Sequence, residues 1–334
     1  MIKASVVVPA YNSEKTIARC IDALLRQTCP VDTYEVIVID DGSTDATAEI
    51  AMSYPVRYYH KQNGGPASAR NMGVREATGE IVLFTDADCV ATESWIEEML
   101  RPFTDPQVSA VKGAYRTNQR QLTARFAQIE FEERFAMLRK SASIDMIDTY
   151  AAAFRTSVFT GAGGFDESFP VANNEDTDLS YKLSAAGHKM VFNGNAIVYH
   201  LNHPASVGRY GRIKFLRGYW RMVVYKRYPD KMIKDTYTPQ SLKIQILTLF
   251  GGAFFLALSA FIHAASYASL LLLIIFLLST ARFAAFAFKV DKAVGLTSPF
   301  FIALRAASIG LGVFYYFVSA PKCRCNHCPP PRRQ

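Results

Sequence analysis

From about residue 242 to 318 the chain is strongly apolar with few charges, in three stretches at about 244–262, 267–288 and 299–318. Each approaches the roughly 20 residues that a helix needs to cross a bilayer. A soluble domain would have to bury three successive helices that are apolar on every side. The stretches therefore read as two or three membrane helices. Arg282 lies near the end of the second, where its stem can reach the interface, whereas Arg305 lies inside the third, where a charge is costlier.

Before about residue 202, charged and apolar residues mix as in a globular domain. Between Ser206 and Lys243 stand ten Lys or Arg and two Asp, a surplus of eight that equals the whole-chain net charge of +8. A basic block beside apolar spans reads as a collar facing anionic lipid on the cytoplasmic side. A nucleic-acid binder would carry its charge across the folded domain, so that class is set aside. Residues 209–228 alternate basic and aromatic side chains, which suits a helix lying on a lipid surface. The expected organisation is a globular domain over 1–205, a basic interfacial region over 206–241, a membrane domain over 242–320 and a Cys/Pro/Arg tail over 321–334. Cys20, Cys29 and Cys89 are scattered and read as thiols of a reducing compartment. In the tail, Cys323, Cys325 and Cys328 with His327 are four potential zinc ligands, against the plainer reading of a disordered or palmitoylated tail. Met1-Ile2-Lys3 runs straight into an apolar strand without a secretory leader pattern, so the globular half is expected in the cytoplasm. Three spans would put the basic tail outside, against the positive-inside tendency; two spans and one interfacial segment would return it.

β-Branched runs at residues 4–9, 34–39, 56–60 and 81–85 alternate with helical patterns, which predicts a doubly wound, mainly parallel α/β sheet. Ligands of such sheets collect beyond the carboxyl ends of the strands. Tyr11-Asn12, Asp40-Asp41 and Asp86 with Asp88 stand at three of those ends and should line one crevice. Further on, the pattern gives a long helix over 123–139, a strand over 149–155, a Gly-rich loop around Gly163 and Gly164, a helix from about Glu175, and a late strand over 190–200.

Several of these residues carry chemistry. Asp86 and Asp88, one residue apart at a strand end, can approach one Mg²⁺ or Mn²⁺ together with phosphate oxygens; solvated surface carboxylates are the plain alternative. Asp40-Asp41-Gly42-Ser43 caps a helix and leaves one of its two leading carboxylates to hold a base or ribose. Gly64 and Gly65 let the backbone approach a ligand at a helix start, and Arg70 adds a charge for a pyrophosphate or a base carbonyl. Asp176, beside Glu175 behind the Gly-rich loop, suits a general base, with a helix cap as the alternative.

In order, SVVVPAYNSE (5–14), VIDDGSTD (38–45), NGGPASARNMG (63–73), GEIVLFTDAD (79–88), GGFDE (163–167) and NEDTDLSYKL (174–183) resemble the family 2 glycosyltransferases, which share the GT-A fold. The likeness spans roughly residues 4–228. It implies that Pro9, Ala10, Tyr11, Asp40, Asp41 and Arg70 hold the nucleotide of a UDP-, GDP- or dTDP-sugar, with Asp86 near the ribose and the metal. It makes Asp88 the principal ligand of Mn²⁺ or Mg²⁺ and Asp176 the base of an inverting displacement. Gly163 and Gly164 would shape the acceptor edge, with Glu175 beside it. One histidine of Tyr199-His200-Leu201-Asn202-His203 would complete the metal or diphosphate site, His200 being the favoured one, with a structural histidine as the equal alternative. The implied activity is a hexosyltransferase-type addition of one sugar to a lipid or lipid-linked acceptor at the cytoplasmic membrane face, in glycolipid or cell-envelope glycan synthesis. Processive polysaccharide synthases of the family carry Q/R-x-x-R-W. Here the residue before Trp220 is Tyr219, which weakens that rival. A nucleotidyltransferase would leave Asp176 and the membrane half unexplained, and a non-enzymatic scaffold would not need Asp86, Asp88 and Asp176.

Overall fold

The computed structural model describes residues 2–169 and 174–319; the tail with Cys323, Cys325 and Cys328 lies outside them. The first unit alternates β1 (Ala4–Ala10), α1 (Ile17–Leu25), β2 (Tyr34–Asp40), α2 (Thr47–Met52), β3 (Arg57–His60), α3 (Pro66–Glu76) and β4 (Ile81–Phe84). β1, β2 and β4 are buried almost throughout, as strands covered on both faces must be. They pair in parallel in the order β3-β2-β1-β4, so the carboxyl ends of β1, β2 and β4 share one edge of the domain.

The second unit comprises β5 (Cys89–Ala91), α4 (Trp95–Leu100), β6 (Val108–Arg116), α5 (Leu122–Leu138), β7 (Ala152–Arg155), α6 (Thr156–Gly161), α7 (Glu175–Ala185) and β8 (Lys189–His200). It extends the sheet to eight strands, continuing from β4 as β7-β6-β8-β5. β7 runs antiparallel to β4 and β6, and β5 antiparallel to β8. The sheet is thus parallel in its first half and mixed in its second. β5 has only three residues, too few for a periodic pattern to betray.

Then follow α8 (Val207–Arg227), α9 (Pro229–Ile233), α10 (Ser241–Leu258), α11 (Ala265–Val290) and α12 (Lys292–Ser319). The last three are long and apolar enough to cross a membrane. α12 begins seven residues before Pro299, which sits inside it. Part of the basic block is engaged by protein. α8 is packed between the globular unit and α12: Gly218 lies against the Ile309 carbonyl and Gly312 against the Phe215 carbonyl, leaving no room for a Cβ at either. On its other side Tyr210 Oη and Lys214 Nζ each reach Glu130 of α5 at 2.8 Å. Arg221 donates to Tyr181 Oη at 2.9 Å, and Arg227 pairs with Asp166 and Asp178 at 2.8 and 2.9 Å.

Arg305 finds its partner in the same network. Its Nη1 donates to Glu130 and its Nη2 to Gln245 of α10, both at 2.8 Å. Burial alone would raise the Glu130 carboxyl; Lys214 and Arg305 reverse that and hold it well below the usual range. One buried carboxylate thereby ties α5, α8 and α12 together. A second tie joins Arg125 of α5 to Asp291, at the junction of α11 and α12.

Candidate active site

Hydrogen bonds lace the loops after β1 and β2 together. Asn12 N donates to Ser43 Oγ at 2.9 Å, and Thr44 N donates to Asn12 Oδ1 at 2.8 Å. Pro9 and Ala10 finish β1 with little free surface, while Tyr11 stands exposed. Asp40 has no exposed surface: it accepts from Ser43 N and Tyr58 Oη, both at 2.8 Å, with His60 Nδ1 at 3.4 Å. Asp41 accepts from Lys61 Nζ at 2.7 Å and from the backbone of Gly64 and Gly65 at 2.9 and 2.8 Å. Gly65 has φ +88°, which only glycine adopts without strain, and the Asp41 carboxylate stabilises that turn. Both acids build the loop walls.

Arg70 of α3 is buried. Its Nη2 donates to Asp86 at 2.7 Å and its Nη1 to Glu175 at 2.9 Å, while its Nε has no protein partner among the described residues. The guanidinium thus links the loop after β4 to the start of α7. Asn174, just before α7, takes the left-handed backbone at φ 67° and keeps its Nδ2 buried without a hydrogen bond among the described residues. Such a backbone in a residue other than glycine gathers at sites of function. Gly163 and Gly164 (φ +84° and +71°) stand apart from the cavity. They let the chain turn so that Phe165 N donates to Asn71 Oδ1 at 2.9 Å, and a Cβ on Gly164 would sit 2.6 Å from that oxygen.

A cavity of about 260 Å³ gathers Arg70, Asp86, Glu175, Asp176 and His200 from among the residues expected at the site. Burial, Glu175 and Asp148 together push the Asp176 carboxyl up to about 7, with Arg70 opposing them. That value suits a group that must take a proton near neutral pH.

Asp88 lies beside this cavity, with His200 Nε2 3.7 Å from its Oδ1. Ligand atoms of Asp88, Cys89 and His200 fall within 4.8 Å of one another. Burial raises the Asp88 carboxyl despite His200. The Asp88 carboxylate suits Mn²⁺ or Mg²⁺, and the His200 imidazole beside it is a donor that favours Mn²⁺ over Mg²⁺. Cys89 suits neither: burial pushes its thiol far up, and a protonated sulfur is no ligand for a hard cation. His203 is the structural histidine of the pair. It is buried, held by Gln128 Oε1 at 3.2 Å and kept neutral by burial, which lowers its pKa to about 3.

Pattern reading missed Asp148, Arg217 and Tyr237, which complete the cavity wall. Asp148 forms an ion pair with buried Lys112 and accepts from Tyr237 Oη at 3.1 Å. A signal existed: Lys112 stands in the middle of a strand whose other buried residues are uncharged, and a buried ammonium demands an acid.

Residues 5–161 match the model of the family described as Glycosyl transferase family 2. Among curated relatives, "Glycosyltransferase AglE" of Haloferax volcanii is 35% identical over 115 residues, 33% of this chain and 38% of that one. "Pre-mycofactocin glycosyltransferase" of Mycobacterium tuberculosis is 26% identical over 257 residues, 74% of this chain and 53% of that one. The matched stretches span less than two thirds of either relative. The fold is that of mannosyltransferase PcManGT from Pyrobaculum calidifontis, with a TM-score of 0.61 at 21% identity over 95% of this chain and 87% of that one. This is the GT-A fold, followed here by three apolar helices.

Proposed function

We propose that the chain is a metal-dependent inverting glycosyltransferase that moves one sugar from a nucleotide-sugar donor to a lipid or lipid-linked acceptor at the cytoplasmic face of a membrane. The observation that carries this reading is Asp176, raised toward neutrality in a cavity it shares with Arg70, Asp86 and His200. The acceptor hydroxyl gives its proton to Asp176. Its oxygen attacks the anomeric carbon from the side opposite the diphosphate, the bond from that carbon to the diphosphate oxygen breaks, and the nucleoside diphosphate leaves. Glu175 is locked onto Arg70, which leaves Asp176 as the base. The donor lies along the loops after β1, β2 and β4, against Pro9, Ala10, Tyr11, Asp41 and Asp86. Arg70 acts by fixing Asp86, and Asp40 by holding the loop after β2 through Ser43 N. A divalent cation, Mn²⁺ or Mg²⁺, held by Asp88 and His200 with Asp86 nearby, would offset the charge gathering on the diphosphate. Two solved relatives by fold support a donor and metal of this kind: PcManGT was solved with GDP-Man and Mn²⁺, and GalNAc-T7 with UDP, GalNAc and Mn²⁺.

The packing of α12 supports two membrane spans. Asp291 and Arg305 both contact α5, and Ile309 to Tyr316 runs along α8, so α12 follows the globular unit instead of leaving it. In this reading α10 and α11 form the spanning hairpin, α12 lies in the interface, and residues 321–334 return to the cytoplasmic side. The test is a panel of UDP-, GDP- and dTDP-sugars with Mn²⁺, scored for thermal stabilisation and release of free nucleoside diphosphate. One donor class should be turned over and chelation should stop it. A chain that neither binds nor turns over any of them is not this enzyme.

A further inference from the structure

Cys89 opens β5 and faces His200, the last residue of β8, across an antiparallel pair. Residues directly opposite in such a pair carry their side chains on one face of the sheet, with Cβ atoms about 4.5–5.5 Å apart. The backbone around them is pinned: Leu201 N donates to the Asp88 carbonyl and Cys89 N to the Asp86 carbonyl, both at 2.9 Å. Asp88 brings its Oδ1 to 3.7 Å from His200 Nε2 and 3.9 Å from Cys89 Sγ. One ligand atom from each residue lies within 4.8 Å of the other two. The Asp88 and His200 side chains keep 25% and 21% of their surface exposed, which gives an ion its way in.

A tetrahedral Zn²⁺ with bonds of about 2.0–2.3 Å holds its ligand atoms about 3.3–3.8 Å apart. Two of the three edges here are already close to that length. The three donors also form a series of rising softness, from carboxylate through imidazole to thiol. Mg²⁺ is served by the first and Mn²⁺ by the first two, whereas a thiophilic ion gains from all three. Cys20 is a second buried thiol near the same turn, but its Sγ rests against the Asp86 carbonyl at 3.5 Å and stands outside the cluster.

We propose that Asp88, Cys89 and His200 form a three-ligand site for a thiophilic divalent cation, Zn²⁺ or Cd²⁺, and that such an ion displaces Mn²⁺. The inference rests on the part of the transferase reading that puts Mn²⁺ on Asp88 and His200, and it makes Cys89 the residue that decides which ion wins. Binding breaks the Cys89 S–H bond: the electron pair of the sulfur goes to the ion and the proton to the buffer. Mn²⁺ leaves the thiol protonated and releases no such proton.

The test uses the full chain in detergent with Cys323, Cys325 and Cys328 each replaced by Ser, so that the tail supplies no thiolate. Titrated with Cd²⁺ without donor or acceptor, this parent protein should develop an ultraviolet thiolate-to-metal absorption band. It should also release one more proton per bound ion than its Cys89→Ser variant. Cys89→Ser should remove the band and weaken Cd²⁺ and Zn²⁺ by at least about tenfold, while Mn²⁺ affinity stays as it was. Cys20→Ser should keep the band, and excess Mn²⁺ should diminish it in the parent. Absence of the band in the parent overturns the proposal without needing any variant to fold. A band that survives Cys89→Ser overturns it too, as does one that Cys20→Ser removes without loss of Mn²⁺ affinity. Direct Mn²⁺ titration of the same parent separates the two levels. Mn²⁺ binding that Asp88→Asn abolishes, with no Cd²⁺ band, overturns the thiol site alone. No Mn²⁺ binding at all overturns the displacement together with the metal part of the transferase reading.

Discussion

Asp40-Asp41 and Glu175-Asp176 are both adjacent acid pairs beside the cleft, and their surroundings differ in the number of donors. Asp40 and Asp41 meet backbone amides, a tyrosine, a histidine and a lysine. Burial alone would raise Asp40; Ser43, Tyr58 and His60 reverse it and hold the carboxylate below its usual range. Around α7 the acids outnumber the donors. Arg70 is shared between Asp86 and Glu175, so Asp176 is left with the amide and hydroxyl of Thr177 and with two carboxylates for neighbours. A saturated acid builds structure, whereas an acid short of donors holds its proton more tightly and can exchange it near neutrality.

The largest expected consequence is a split between rate and stability. Asp176→Asn should lower sugar transfer by roughly 10² to 10⁴ fold while leaving donor affinity and the melting temperature nearly unchanged. Asp40→Asn should do the reverse, costing about 1–3 kcal/mol of stability by breaking buried hydrogen bonds. Glu175→Gln should cost less transfer than Asp176→Asn, since adjacent residues at a helix start point about 100° apart. Transfer rates, donor binding and melting curves of the three variants decide it. Equal rate losses in Asp176→Asn and Glu175→Gln would show that the base has been misassigned.

The contrast also explains what could be read from the chain in advance. The first four strands, the acids at their ends and the three apolar helices are local patterns, a short run of like residues closed by a turn. The structure finds the helices within a few residues of expectation, apart from the start of α12. Asp148, Arg217 and Tyr237 obey no local pattern, because their partners lie far along the chain: Asp148 meets Lys112 36 residues earlier, and Tyr237 meets Asp148 across 89. Only misplaced charges hinted at them, Lys112 inside a strand and Arg305 inside an apolar helix. The partners of the basic block are hidden from a local pattern for the same reason. Its composition points to lipid, but Lys214, Arg221 and Arg227 have protein partners that no window of sequence contains.

A smaller effect tests the acid at the edge of the cavity. Asp88→Asn should weaken Mn²⁺ binding by about 10- to 100-fold, measured by titration of the purified chain without substrate. His200→Gln should weaken it as well, while Cys89→Ser should leave it intact because the buried thiol stays protonated. Retained Mn²⁺ affinity in both Asp88→Asn and His200→Gln would move the ion elsewhere.

The smallest effect is the sharpest probe of the two acid pairs, because their pH dependences have opposite signs. Asp40 is depressed in the folded chain, so its contribution to stability is present above the unfolded value of roughly 3.9 and is lost as pH falls through the lower folded value. Asp176 is raised to about 7, so the folded chain holds that proton more tightly than the unfolded one. Its contribution is full below the unfolded value and is lost as pH rises through about 7. At pH 8 the wild type therefore carries an ionised Asp176 crowded by Glu175 and Asp148, which Asp176→Asn relieves. The variant should melt slightly above the wild type at pH 8, and that advantage should vanish toward pH 4. Asp40→Asn should melt below the wild type at pH 8, by a margin that shrinks only at more acid pH. The same proton governs the rate: wild-type transfer should rise with pH through about 7 while donor binding stays flat. Melting curves and initial rates from pH 4 to 9 supply both readouts. If Asp176→Asn tracks the wild type in stability at every pH, the carboxyl is not raised in the folded chain. The rising limb of the rate then belongs to another group.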